Sequence, residues 1–241
     1  MSADMKDLSS MSSSVKKVEN SAPPVNPRLN LQGIIFDMDG VLVDSEPRHK
    51  KAFLEVFSEL GYAESHGIDF DHYLGMTDRA VVEDFVQHNE IADSVEALIE
   101  RKQTRLVKLL EVDQPLFKPI PQLLKDLSAQ YALSVASGSP HRVIDTVLSL
   151  QDIGAYLPVT VSSEDVLRGK PAPDIFLETA DQMGLKPHQL CVVEDSVAGV
   201  SAARAAGMQV MAITNSFPAE RLVEADRIVS DYGEIRRLLL G

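Results

Sequence analysis

The sequence predicts an α/β fold: a three-layer, doubly wound parallel sheet that carries an inserted all-helical cap domain. Three observations predict it. Short apolar runs alternate with amphipathic stretches from Gly33 to the C-terminus. The runs "GIIFD" and "LCVVED" hold no polar side chain until they meet their acids, as strands buried on both faces do. Between Pro47 and Leu116 strand signals stop and helical periodicity takes over.

The elements follow in order. "GIIFD" is the first strand. "HKKAFLEVFSELG" is a helix with Ala52, Phe53, Val56, Phe57 and Leu60 on one face and Gly61 as its stop. "DFDHYLGMTDRAVVEDFVQHNE" and "SVEALIERKQTRLVKLLEV" continue the helical block, with mixed charge on their outer faces. After "FKPIP", whose "KPIP" suits a hinge, the alternation resumes. "PQLLKDLSAQ" is a helix, "YALSVAS" a strand, "HRVIDTVLSLQDIG" a helix and "PVTVSS" a strand. "PDIFLETADQMG" is a helix closed by Gly184, and "LCVVED" is a strand. "VAGVSAARAAG" is a helix closed by Gly207, and "QVMAIT" and "RIVSD" are the last strands. The expected division is a disordered tail over 1–30, a core over 31–46 and 117–241, and a helical cap over 47–116. The tail is rich in Ser, ends in the linker-like "SAPPVNP", and lacks the apolar centre of a secretion signal.

Composition excludes several functions. A net charge of −13 argues against nucleic acid, whose phosphates need a basic face. Aromatic residues make up only 5%, with no Trp, so a base-stacking platform is not expected. No apolar stretch reaches the ~20 residues of a membrane span. The single cysteine, Cys191, lies in an apolar run and reads as a packed core thiol; a reducing, cytoplasmic setting fits it. A monomer is the default expectation.

The chemistry gathers where strands end. In a doubly wound sheet, ligands bind beyond the carboxyl ends of the strands. Asp37 and Asp39 follow the first strand, Ser137, Gly138 and Ser139 the second, and Glu194 and Asp195 follow "LCVV". Lys170 stands in the loop "RGKPAP". Two carboxylates one residue apart repel, and their burial needs a metal ion, a positive side chain or a shared proton. Several carboxylates around one point suit Mg²⁺, which takes a few carboxylates plus a substrate phosphate. Ser137 with the amides after it forms an anion-binding concavity, and Lys170 adds positive charge. Asp37 would then attack phosphorus, and Asp39 would protonate the leaving oxygen and later deprotonate water.

"FDMDGVLVDSE", "VASGS", "GKPAPDIF" and "VVEDSVAGVSAARAAG" resemble, in order, the four motifs of the haloacid dehalogenase superfamily. The helical insert resembles the cap of the branch that holds beta-phosphoglucomutase and small sugar-phosphate phosphatases. The resemblance covers Gly33 to the C-terminus. It implies Asp37 as nucleophile, Asp39 as acid and base, and Ser137, Gly138 and Lys170 as phosphate-binding groups. It implies Asp37, the Asp39 carbonyl and Asp195 as ligands of Mg²⁺, with Glu194 in or just behind that set. Specificity would lie in the cap and around the second motif, with His49, Thr77, Asp78, Arg79, Ser139, His141 and Arg142 as candidates. His49, twelve residues after Asp37, matches a histidine of the mutase.

The function this implies is a Mg²⁺-dependent phosphatase for a small phosphorylated metabolite, a sugar phosphate, working through an aspartyl-phosphate. A phosphoglucomutase-type isomerase is the alternative, and a non-catalytic binding protein on this fold the third. The mutase pattern places a lysine and an asparagine after the second-motif serines. Here Pro140 and His141 stand there, so hydrolysis is expected, with Arg142 the remaining group that could grip a distal phosphate. An imine-forming cap lysine would signal a phosphonatase, and Lys50 and Lys51 lie near that helix.

Overall fold

The computed structural model describes residues 31–73 and 77–241. The tail expected over 1–30, with its linker, lies outside the described residues.

Six parallel strands form one sheet: β1 (Gly33–Phe36), β2 (Ala132–Ala136), β3 (Val159–Val161), β4 (Leu190–Glu194), β5 (Gln209–Ile213) and β6 (Arg227–Val229). Their order is β3-β2-β1-β4-β5-β6. The chain winds one way from β1 to β3 and the other way from β4 to β6, so the winding reverses between β1 and β4. Successive side chains of these strands face opposite sides. Ile34, Phe36, Cys191, Val193, Met211 and Ile213 join one core cluster. Ile35, Leu190, Val192, Val210 and Ala212 join the other. This two-sided burial is why the strands read as continuous apolar runs. Burial pushes the Cys191 thiol up to about 12, which keeps it unreactive.

The helical block comprises α1 (Glu46–Glu59), α2 (Asp78–Asn89) and α3 (Val95–Asp113). Phe53, Val56, Phe57, Val81, Val82, Phe85 and Leu98 pack into a third cluster, with Phe57 and Phe85 stacked at 3.8 Å between ring centroids. The oxygens of Thr77 and Ser94 cap α2 and α3 by accepting from the N–H groups of Ala80 and Ala97. The two passages between sheet and helical block run side by side. Asp44 N–H donates to the Pro115 carbonyl at 2.9 Å, and Phe117 N–H donates to that of Leu42 at 3.0 Å.

The remaining helices are α4 (Ile120–Ser128), α5 (His141–Ser149), α6 (Asp174–Met183), α7 (Val197–Ala205) and α8 (Tyr232–Leu240). Three details depart from the sequence reading. The helix expected to reach Gly154 ends at Ser149, because Gln151 and Asp152 take left-handed backbone angles. The helix expected from Pro121 already begins at Ile120, inside the "KPIP" segment. The final helix α8 was not expected. Its Ile235 and Leu239 are buried on the first core cluster, and the Asp231 side chain caps its start.

Candidate active site

The carboxyl ends of β1, β2 and β4 meet at one edge of the sheet. β1 ends at Phe36, so Asp37 is the first residue past the strand, and its N–H still donates to the Val193 carbonyl at 2.9 Å. That bond on the neighbouring strand fixes where the carboxylate starts. Asp37 is 6% exposed, and its carboxylate accepts a hydrogen bond from the Lys170 ammonium. Lys170 also donates to Glu194 Oε1 at 2.6 Å. The other Glu194 oxygen accepts from the N–H groups of Asp195 and Ser196, both at 2.8 Å, and from the Ser196 hydroxyl at 2.9 Å. Ser196 then caps α7. Asp195 accepts from the Ser216 hydroxyl.

Two glycines make this closeness physically possible. A Cβ on Gly199 would stand 1.7 Å from Glu194 Oε1. Gly40 has φ +78° and a Cβ there would stand 1.8 Å from Asp195 Oδ2.

One oxygen from each of Asp37, Glu194 and Asp195 lies within 4.8 Å of the others, and all three residues are buried. Among the described residues Lys170 is the single ammonium bonded to this group. Burial pushes the Asp37 carboxyl up to about 8, with Glu194 and Asp39 adding to the rise and Lys170 opposing it. Burial and the charges of Glu194 and Asp37 also raise Asp195 well above the usual carboxylate range. One ammonium therefore does not balance three carboxylates, and the group favours a further positive charge.

Asp39 is held by different partners. Its carboxylate accepts from Ser45 Oγ at 2.5 Å, Ser139 Oγ at 3.0 Å and Ser137 Oγ at 3.3 Å. Burial alone would raise its pKa, but the adjacent His49 ring and the hydroxyls of Ser45 and Ser139 outweigh it and hold Asp39 well below the usual range. The same sheet edge thus holds two carboxyls with opposite shifts two residues apart.

Residues 34–213 match the model of the haloacid dehalogenase-like hydrolases. The chain belongs to that family. The haloacid dehalogenase-like chain is 33% identical over 181 residues to the fructose-1-phosphate phosphatase YqaB of Escherichia coli, covering 73% of this chain and 93% of that one. It is 32% identical over 177 residues to hexitol phosphatase B of the same species, covering 73% and 80%. It also shares its fold with beta-phosphoglucomutase from Clostridium difficile, at a TM-score of 0.72 and 21% identity over 86% of this chain and 96% of that one.

A cavity of about 590 Å³ lies between this haloacid dehalogenase-like centre and the helical block. Asp37, Asp39, Lys170, Glu194, Asp195, Gly138 and Ser139 line it from the sheet, and His49, Thr77, Asp78 and Arg79 from the helices. Ser137 is fully buried instead. Its Oγ accepts from the Ser139 N–H at 3.0 Å while facing Asp39.

Two expected residues do not reach the cavity. His141 pairs with Asp165 at 2.8 Å, and Arg142 bonds Glu100 and, at 2.7 Å, Gln103 on α3. Both start α5 and turn toward acids or amides of adjoining segments, which satisfy them before any substrate arrives. Arg79 does line the cavity, but its guanidinium is bonded to Glu83 at 3.3 Å and Glu96 at 3.0 Å. Thr77 serves as the cap of α2.

Other residues of the site were not singled out from sequence. Ser45 and Ser216 are ordinary serines until the fold sets them against Asp39 and Asp195. Lys102 had a signal. It interrupts the apolar face Leu98, Leu106, Leu110 of α3 at helical spacing, yet it is 0% exposed. Its ammonium bonds both oxygens of Asp78, at 2.7 and 2.8 Å, and lies 2.8 Å from His49 Nδ1.

Proposed function

We propose that the protein is a Mg²⁺-dependent phosphatase of sugar monophosphates that works through an aspartyl-phosphate on Asp37. What carries the reading is the meeting of Asp37, Lys170, Glu194 and Asp195 at one buried point beside Asp39. The phosphatase activity named for two relatives of more than 30% identity supports the substrate class.

The donor set fits Mg²⁺. Three buried carboxylates share one ammonium, and hard oxygen donors are what this ion takes. Asp37 and Asp195 would hold it together with the Asp39 carbonyl. Both oxygens of Glu194 are taken up by Lys170 and by Asp195 and Ser196, so Glu194 braces the set from behind. When bound, the cation offsets negative charge on the carboxylates and on the transferring phosphoryl group.

The residues then divide the work. A Asp37 oxygen forms a bond to phosphorus as the bond to the sugar oxygen breaks, and the leaving oxygen takes a proton from Asp39. Asp39 is ionised among its serine partners in the resting arrangement. A phosphoryl group set beside it brings negative charge, which raises its pKa and favours uptake of that proton. Water then attacks the aspartyl-phosphate and passes its proton to Asp39. The Asp37–phosphorus bond breaks, and phosphate leaves. Lys170 and the N–H groups after Ser137 balance charge on the transferring group.

The mutase reading needs a grip on a distal phosphate. His141 and Arg142, the groups best placed in sequence for it, are committed to Asp165 and to Glu100 and Gln103. Hydrolysis is the reading this favours. The test incubates enzyme and Mg²⁺ with beta-glucose 1-phosphate and a trace of glucose 1,6-bisphosphate, and in parallel with fructose 1-phosphate. Release of inorganic phosphate is expected. Conversion to glucose 6-phosphate with little free phosphate would move the assignment to a mutase.

A further inference from the structure

Glu46 is a carboxylate of the cavity that the phosphoryl-transfer chemistry does not use. It opens α1, and its side chain lines the same cavity as Asp37 and Asp39. Its acidic neighbours are all engaged. Asp44 and Asp113 pair with Arg48 at 3.6 and 3.1 Å, and Asp78 binds Lys102. Among the described residues Glu46 has no hydrogen bond and no ion pair. Glu46 is exposed as a residue, and what burial its carboxylate has raises its pKa, with His49 opposing the rise and Asp39 adding to it. Its acceptor oxygens are open to water in the free protein and are available to the donors of a ligand that fills the cavity.

The chemistry around it selects the ligand. An ionised carboxylate only accepts hydrogen bonds, and its two oxygens can take two neighbouring hydroxyls. Lys50, one turn further along α1, also lines the cavity and holds its ammonium 5.4 Å over the Phe70 ring. The wall therefore offers an acceptor, a donor and an aromatic face, which together match the hydroxyls and C–H faces of a sugar or polyol. A second phosphate next to Glu46 would instead meet a like charge. We propose that Glu46 is a specificity-determining residue that accepts hydrogen bonds from hydroxyls of the leaving sugar or polyol and disfavours bisphosphates. This rests on the phosphatase reading above and names the part of the substrate that the cavity recognises.

The experiment compares wild type with Glu46→Ala and Glu46→Gln on fructose 1-phosphate, fructose 1,6-bisphosphate and p-nitrophenyl phosphate, with Mg²⁺ throughout. The last compound has a phosphate and no hydroxyl on its leaving group. In Glu46→Ala the ratio of kcat/KM for fructose 1-phosphate to that for p-nitrophenyl phosphate should fall about 10- to 100-fold, the worth of hydrogen bonds to a charged group. The fall should lie mainly in KM. Glu46→Gln keeps an acceptor oxygen and should recover part of it, while raising the preference for bisphosphate over monophosphate. Loss of the same size on fructose 1-phosphate and p-nitrophenyl phosphate would overturn the proposal, because it would place Glu46 in the common phosphoryl-transfer step. A lowered unfolding temperature with an unchanged ratio would overturn it too, by confining Glu46 to the charge balance of the α1 N-terminus. Wild-type turnover of fructose 1-phosphate judges the phosphatase reading separately, since the variant ratios do not enter it.

Discussion

The ammonium of Lys102 lies 2.8 Å from Nδ1 of His49. An ammonium only donates, so Nδ1 accepts and the ring proton sits on Nε2. Nε2 lies 3.4 Å from Asp39 Oδ1 and is buried, without a hydrogen bond to any described residue. Burial and Lys102 work against a charged ring, while Asp39 and Asp78 outweigh them and push its pKa up to about 9. The ammonium at hydrogen-bond distance from Nδ1 opposes that pull at this one nitrogen and keeps the ring proton on the Nε2 side. A chain of Asp78, Lys102 and His49 thus runs from α2 and α3 through α1 and points one N–H at the Asp39 carboxylate.

Lys102→Met should therefore do two separable things. It strips the fully buried ammonium from Asp78, which costs about 2–3 kcal/mol once the partial exposure of Asp78 is allowed for. Thermal unfolding should show it, and Lys102→Met with Asp78→Asn should recover part of the loss. The ring also loses its anchor, so kcat should drop about tenfold to a hundredfold at saturating substrate. Unchanged kcat in a folded Lys102→Met protein would dissociate this chain from Asp39.

Asp37→Asn should abolish turnover, with a residual rate below about one-thousandth of wild type, because an amide neither attacks phosphorus nor replaces a carboxylate ligand. Phosphate release is the readout. Near-normal turnover would remove the covalent step.

Asp39→Asn should behave differently. The amide cannot shuttle the proton, so turnover falls, but the backbone carbonyl at that position stays. Stabilisation by Mg²⁺ in thermal unfolding should persist in Asp39→Asn and be much reduced in Asp37→Asn. Equal loss of the Mg²⁺ effect in both variants would contradict the division of roles.

Mg²⁺ should stabilise the protein more at pH 8 than at pH 5. The Asp37 carboxyl has an ordinary pKa of 3.8 and is pushed up to about 8 by burial in the folded chain. A raised folded pKa means that its stability contribution is present below about pH 4 and is lost as pH rises toward 8. Asp195 shifts the same way. At low pH the cation must displace their protons, and at high pH it relieves their repulsion. The shift in unfolding temperature with and without Mg²⁺, measured across this range, checks it. A shift that shrinks with rising pH would contradict the site.

Gly199→Ala should disturb the centre without touching any reacting atom. Its methyl would fall on Glu194 Oε1, which holds Lys170. Loss of activity with a lowered unfolding temperature is expected, and a wild-type rate would show that α7 can shift at no cost.

The sequence by itself determined the sheet and its chemistry-bearing edge. Strands buried on both faces must be apolar throughout, so "GIIF" and "LCVV" were legible, and the acids that end them fall at the strand ends by chain geometry. The helical block was legible from its 3.6-residue period. The α8 helix was missed, and the run at Gln151 and Asp152 was read as helix, because short terminal elements depend on the surface they pack against. Contacts of long side chains were decided only by tertiary structure. Arg142 and His141 follow the second-motif serines as phosphate ligands would, yet each finds a nearer partner on another segment. Lys102 looked like one more charge on a solvated helix, and the packing of α1, α2 and α3 buried it against Asp78 and His49. Periodicity is a local property and survives in one dimension. Which ammonium meets which carboxylate depends on distances between segments far apart in the chain, and those exist only once the chain has folded.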